Sequence, residues 1–195
     1  MPKEIFLFMG AVIGALAAYI TAKATGNKQL EIAKLNAQKE ITLQENMLHD
    51  ERIKSEVSLE REKLESLHII LSKIALENSQ TMSHIQSDSN TEIESFRERY
   101  LDNCSRLHQA RAIVDIYYPD MSESVREIYG KANVFWGHQE AVIRINIKEN
   151  PKGWNSNLSE VLKAGDEIAG NVKQLQYNIS SCSKELNKVL HRTSR

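Results

Sequence analysis

The most constraining feature of the sequence is an uncharged, apolar run near its N-terminus. Residues 5–22 (IFLFMGAVIGALAAYITA) number 18, and 15 of them are apolar. As a helix rising about 1.5 Å per residue, the run reaches roughly 27 Å, close to the roughly 30 Å hydrocarbon core of a bilayer. Lys3 and Lys23 bracket it and can extend to opposite headgroup layers. The run therefore predicts a single-pass transmembrane helix, with the anchor covering residues 1–25.

Two other interpretations of this run are a cleavable signal peptide and a buried helix of a soluble core. The small residues Ala22 and Ala24 resemble a cleavage site. Against cleavage, Glu4 dilutes the basic start, and the apolar run is longer than a usual signal core. The sequence leaves open whether the segment is removed.

Basic residues near the two ends of the span indicate its orientation, because Lys and Arg resist translocation. Lys3 precedes the span, whereas Lys23, Lys28, Lys34 and Lys39 follow it. This asymmetry predicts a protein of the inner (cytoplasmic) membrane whose C-terminal body is cytoplasmic. The lipid bilayer is accordingly the first expected partner.

One face of the predicted span carries small residues at a spacing of four. Gly10, Gly14 and Ala18 lie above one another on a helix, and small residues at this spacing let two backbones approach closely. We expect these three residues to form a transmembrane association face, and the protein to be a homo-oligomer.

The remainder of the chain predicts an all-α fold. Residues 27–78 contain no Pro or Gly and are rich in strong helix formers, so we expect the anchor to continue into a helical stalk over residues 26–49. An antiparallel helical bundle or coiled coil then covers residues 50–195, because short connections join successive amphipathic helices. The four predicted helices are residues 50–78, 91–118, 120–148 and 157–191, separated by a polar turn or kink near 79–90, Pro119 and the breaker at 150–153.

The predicted bundle core follows alternating three- and four-residue spacings. The last helix has the cleanest pattern, Leu158, Val161, Gly165, Ile168, Val172, Leu175, Ile179, Cys182, Leu186 and Val189. The first bundle helix shows the same spacing at Ile53, Val57, Leu64, Leu67, Leu71 and Ile74. Two further stripes are Ile93, Phe96, Tyr100, Cys104, Leu107, Ile113, Val114 and Tyr117, and Met121, Val125, Ile128, Ala132, Phe135 and Val142.

Signals for chemistry are weak. The charge balance of 25 basic and 26 acidic residues argues against nucleic acid as a partner. Glu65 and His68 form a single Glu-x-x-His pair, whereas di-iron bundles need two such pairs. Cys104 and Cys182 both fall on predicted core stripes, where a thiol behaves as a small hydrophobe. We therefore expect no catalytic, metal or cofactor site, and no enzyme.

Trp154 stands in a polar turn among Lys, Gly and Asn. An indole there either folds back to cap the open end of the bundle or offers a contact to a protein partner. Taken together, the sequence predicts a membrane-anchored scaffold or interaction protein that self-associates and positions an unidentified protein partner at the cytoplasmic membrane face. The alternative is an extracytoplasmic helical-bundle sensor that binds a ligand between its helices.

Overall fold

The computed structural model describes residues 3–88 and 92–193, and the side chains of residues 9–87 and 92–190. Apart from short connections, the chain is helical over these residues, and they contain no strand. The helices are α1 (Lys3–Glu77), α2 (Gln80–Asp88), α3 (Ile93–Tyr117), α4 (Ser122–Arg144) and α5 (Pro151–Thr193), with a 3-10 turn at Pro119–Met121. The all-α prediction is confirmed.

The chain divides into two compact units, and the division falls inside α1. Unit 1 is Met1–Ile53, and its described part is a single helix. Unit 2 is Lys54–Arg195 and contains the last part of α1 together with α2 to α5.

Side-chain pairs within unit 2 show that its long helices are antiparallel neighbours. Residues 54–77 of α1 run against α3, because Arg99 bonds Glu77 at one end and the Tyr118 hydroxyl donates to the Glu60 carbonyl at the other. α3 and α4 are also antiparallel, because Arg97 bonds Glu140 and Asp115 bonds Ser122. The same holds for α4 and α5, where the contacts are Lys131–Glu167 and His138–Asn157. Ser72 and Gln176 join α1 to α5. The predicted antiparallel bundle is thus present in unit 2.

The core of unit 2 follows the predicted stripes on α1, α4 and α5, whereas the stripe predicted on α3 is only partly correct. Every predicted position from Val57 to Ile74 on α1, from Met121 to Val142 on α4 and from Val161 to Ile179 on α5 is buried, while the ends of the α5 stripe are partly or mostly exposed. On α3 the buried line is Phe96, Asn103, Leu107, Ala110 and Val114. The predicted positions Ile93, Tyr100, Cys104 and Ile113 are only partly buried, and Tyr117 is exposed. Asn103 therefore takes a core position that the apolar pattern did not predict.

The segment predicted as a turn or kink near residues 79–90 contains the helix α2. Between α1 and α2 the break covers Asn78 and Ser79. The Ser79 hydroxyl accepts the Met82 backbone N–H at 3.2 Å, which caps the start of a new helix. Poor intrinsic helix propensity was outweighed here by capping and by packing of α2 on α4 and α5.

The connection between α4 and α5 is shorter than predicted. α4 ends at Arg144, whereas the sequence predicted a helix to residue 148, and α5 begins at Pro151, six residues before the predicted start at 157. The Asn150 side chain accepts the Gly153 N–H at 2.9 Å. Asn150 is thus the N-cap and Pro151 the first helical residue, a position that suits proline because no partner for its nitrogen is needed there.

Candidate interaction surfaces

The membrane-span candidate lies in α1. Near its N-terminal end an 18-residue window has a mean hydropathy of 1.2, and none of this window is buried by the rest of the chain. α1 is the helix among the described residues that is long and apolar enough to cross a membrane.

Polar groups at the end of this apolar segment are satisfied within the helix. The Thr21 hydroxyl donates to the Ala17 carbonyl, and the Thr25 hydroxyl donates to the Thr21 carbonyl, each at 2.8 Å. Within hydrocarbon, a hydroxyl must find its partner in the protein, because no water is present to supply one. Both threonines are thus compatible with a lipid environment.

The small-residue face predicted at Gly10, Gly14 and Ala18 is open. All three residues are exposed on the helix. A methyl group placed at Gly10 or Gly14 meets no atom within 4 Å, leaving aside the helix's own neighbouring backbone. The face is therefore accessible to a second helix, and its role in association stays a prediction.

The stalk carries large apolar side chains that the chain leaves exposed. Between residues 26 and 53 they occur around the whole circumference of the helix. The exposed members are Leu30, Ile32, Leu35, Ile41, Leu43, Met47 and Leu48. Such a surface is unusual for a helix that remains in water alone.

Trp154 lies in the first turns of α5 and is half-buried. Its side chain packs against the core cluster of unit 2. Nearby on the same helix, the Asn157 amide oxygen pairs with His138 Nδ1 of α4 at 2.8 Å. The structure agrees with capping of the bundle end by this indole, and contact with a partner stays a prediction.

A shallow apolar groove separates α1 from α3 in unit 2. It encloses about 460 Å³ and is lined by Ser66, Ile69, Ile70, Gln109, Ala112 and Ile113. Ile69 is about half exposed. The sequence contains one indication of this groove, which is that Ile69 lies outside the predicted core stripe of α1.

Glu65 and His68 are exposed, as expected from the positions of Leu64 and Leu67. Together with Arg61 they line an open groove of about 440 Å³ between α1 and α5. Over the described part of the chain, no group of three or more His, Cys, Asp or Glu side chains is arranged to hold a metal ion.

The two cysteines are free and partly buried, and they lie at different levels of the bundle. Cys104 hydrogen-bonds Tyr100 and raises the pKa of that phenol to about 12. Burial raises the pKa of Tyr118 to about 12, with a smaller effect from Cys182. Cys182 lies between Ile179 and Ser183, which line a groove with Arg61, at the end of the bundle where Tyr118 bonds Glu60. Because Cys104 precedes Tyr118 by roughly 20 Å of chain at helical rise, the two thiols are too far apart for a disulfide.

Three carboxyl groups of unit 2 have lowered pKa values because they accept hydrogen bonds. The Ser122 hydroxyl lowers the pKa of Asp115, and the Arg144 guanidinium lowers that of Glu140. The Lys131 ammonium lowers the pKa of Glu167. These groups join neighbouring helices or successive turns at the surface, where such pairs orient helices and contribute little energy.

The chain matches no protein-family model, no curated protein and no solved structure.

Proposed function

We propose that the protein is a membrane-anchored helical scaffold that self-associates and positions a protein partner at the cytoplasmic face of the inner membrane. One observation carries this proposal. Unit 2 has a buried apolar core of its own, whereas every apolar side chain described in unit 1 is exposed except Ile53 at its end, which is partly buried. Burial of those side chains needs lipid or another polypeptide.

Lipid is the proposed environment of the first part of α1. Its apolar window is unburied, and the threonine hydroxyls at its end are bonded to helix carbonyls. Burial of such a segment in hydrocarbon is favourable in proportion to its apolar area. The excess of lysines after the span favours a cytoplasmic location for unit 2.

A second copy of the chain is the proposed neighbour along unit 1. Within the membrane, the open face at Gly10, Gly14 and Ala18 lets two helices approach closely. In the stalk, pairing with the same residues of another copy would withdraw from water those exposed apolar residues that lie on the contacting face.

A protein partner is proposed at the end of the bundle that carries Trp154. Part of this indole remains accessible, and exposed Lys152, Asn155 and Ser156 surround it. Large aromatic side chains with polar neighbours are frequent contributors to binding energy at protein interfaces.

Membrane fractionation tests the anchor. We expect the full-length protein to stay in the membrane pellet after alkaline carbonate extraction. A variant with Ile13→Lys and Leu16→Lys should be released, because charges at the centre of a span are costly. The matched control carries Leu43→Lys and Met47→Lys in the stalk and should remain in the pellet. A wild-type protein found in the soluble fraction would contradict the anchor.

The oligomeric state in detergent tests self-association. We expect wild-type protein to be oligomeric by light scattering, and Gly10→Leu with Gly14→Leu to weaken the oligomer because the backbones can no longer approach. Ala11→Leu with Ala15→Leu changes another face of the same helix and serves as the control. A monomeric wild type, or equal effects of the two variants, would remove this face from the proposal.

A reporter fused after Arg195 tests the orientation. A reporter that is active only outside the cytoplasm should be silent, and one that is active only inside should work. The opposite result would favour the extracytoplasmic sensor instead.

A further inference from the structure

The most buried side chains of α2 are polar, whereas its two apolar residues, Met82 and Ile85, are partly buried and exposed. Ser83 and Gln86 are 0% and 2% exposed, whereas Ile85 is 52% exposed. Helices on the surface of a globular core usually show the reverse pattern, because apolar burial holds them in place. Some other interaction must therefore keep α2 in position.

Hydrogen bonds to α4 and α5 fill that role. The Ser83 hydroxyl donates to Gln139 Oε1 at 2.7 Å, and Gln139 Nε2 donates to the Ser83 carbonyl and to Ser87 Oγ, both at 3.3 Å. Gln80 Nε2 donates to Asp166 Oδ1 at 2.8 Å. Each of these bonds can be replaced by a bond to water, so the net gain from making it is small.

Docking of α2 also leaves amide groups without partners. Among the described residues, neither Gln86 Nε2 nor Gln86 Oε1 has a hydrogen-bond partner, and Asn78 Oδ1, just before the helix, also lacks one. Each of these atoms loses its bonds to water when α2 is docked. This cost opposes docking and is recovered as soon as α2 leaves.

We propose that α2 is a releasable strap, which detaches from α4 and α5 while α1, α3, α4 and α5 stay folded. Release returns water to Gln86 and Asn78 and uncovers the otherwise buried amide of Gln139. A helix of nine residues has little stability by itself, so the detached strap unfolds. The strap thus controls exposure of a polar site at one end of the bundle, independently of membrane anchoring.

Hydrogen exchange of the full-length protein in detergent, followed by mass spectrometry, tests the strap. We expect amides of α2 to exchange at least about a hundredfold faster than those in the central turns of α4 and α5. Their exchange should also be nearly independent of low urea concentrations, as in local opening. Exchange of α2 that is as slow and as urea-dependent as that of α4 and α5 would overturn the proposal.

Two variants should change the rate of α2 exchange in opposite directions. Gln86→Leu removes the unpartnered amide and should slow α2 exchange about tenfold, whereas Gln139→Ala removes its main hydrogen bonds and should speed it about tenfold. Gln109→Ala, an exposed glutamine of α3, is the control and should leave α2 exchange unchanged. A Gln86→Leu variant with faster α2 exchange, or a Gln139→Ala variant that speeds all helices equally, would show that α2 is an integral part of the core.

Discussion

Unit 1 and unit 2 use similar apolar residues in different ways. α1 passes through both, and its leucines illustrate the contrast: Leu67 in unit 2 is 0% exposed, while Leu43 in unit 1 is 60% exposed. Both are predicted from the sequence to be helical, and both are. The difference is that α3, α4 and α5 supply a core around the last part of α1 only.

The contrast shows that packing within the chain stabilises only the last part of this helix. Residues 54–77 gain from packing on their own chain, which is fixed by the fold. Residues described in unit 1 gain only through lipid or a further polypeptide, so their stability depends on the surroundings. The predictions below test this distinction.

The largest expected effect is truncation of a core leucine. Leu67→Ala should lower the free energy of unfolding of unit 2 by about 2–5 kcal/mol, because it removes packed methyl groups and leaves a cavity. Urea unfolding of the detergent-solubilised protein, followed by tryptophan fluorescence, measures this directly, since Trp136 and Trp154 both belong to unit 2.

Leu43→Ala is the matched control on the same helix. It should change the unfolding free energy of unit 2 by less than about 0.5 kcal/mol, as is usual for exposed positions. If the two variants destabilise unit 2 equally, the division of α1 into two independent parts is wrong.

A second matched pair concerns glycines of α5. A methyl group at Gly165 would stand 2.8 Å from the Asn78 carbonyl oxygen, so Gly165→Ala should cost about 1–3 kcal/mol of unfolding free energy. Gly170 has no atom within 4 Å of the same point, and Gly170→Ala should instead stabilise α5 by about 0.5–1 kcal/mol.

A third Gly→Ala substitution, at Gly14 of α1, extends the comparison to unit 1. A methyl group at Gly14 meets no atom of the described residues within 4 Å, so any loss caused by Gly14→Ala must come from surroundings outside the chain. Thermal unfolding of the Gly165→Ala, Gly170→Ala and Gly14→Ala proteins measures the three effects. A stable Gly165→Ala protein would mean that the turn at Asn78 can shift away from α5.

The sequence was sufficient to predict those parts of the fold that depend on apolar periodicity. The stripe from Val161 to Ile179 and the end of α3 before Pro119 agree with the structure, because spacing and proline geometry act locally. α2 was missed because its position depends on Gln139, 52 to 56 residues away. Asn103 was missed because an amide at a core position has no apolar signature.

The candidate surfaces were predictable to a different extent. The small residues at Gly10, Gly14 and Ala18 could be placed on one face from spacing alone, but whether a neighbour covers them is a property of the assembly. The groove beside Ile70 depends on how α1 and α3 pack. The apolar pattern of one helix does not predict how it packs against another.

Asn103 provides the third prediction. Its side chain is fully buried in unit 2, and neither its Nδ2 nor its Oδ1 has a hydrogen-bond partner. In contrast, the hydroxyls of Thr21 and Thr25 in unit 1 are satisfied by their own helix. Asn103→Leu should therefore raise the unfolding free energy of unit 2 by about 1 kcal/mol, because a side chain of similar size removes the unpaired amide.

Chemical denaturation of the Asn103→Leu protein measures this gain. A loss of about 1 kcal/mol or more would contradict it, and would indicate that Asn103 has a bonded partner in solution, such as a buried water molecule.

The smallest expected effect is acid destabilisation, and it should act on unit 2, where Asp115, Glu140 and Glu167 have lowered pKa values. A carboxyl group whose pKa is lower in the folded state stabilises that state above its ordinary pKa, and this contribution is lost as the pH falls through the lowered value. The urea concentration at which half of unit 2 is unfolded should thus decrease when the pH is lowered below about 4. Glu140→Gln should make the midpoint less sensitive to pH, since it removes the carboxylate that accepts bonds from Arg144 and Arg97.

Glu160→Gln, which changes an exposed glutamate outside the ion pairs of the described residues, should leave the pH dependence as it is. Equal pH profiles for the Glu140→Gln and wild-type proteins would mean that these surface bonds do not persist in solution.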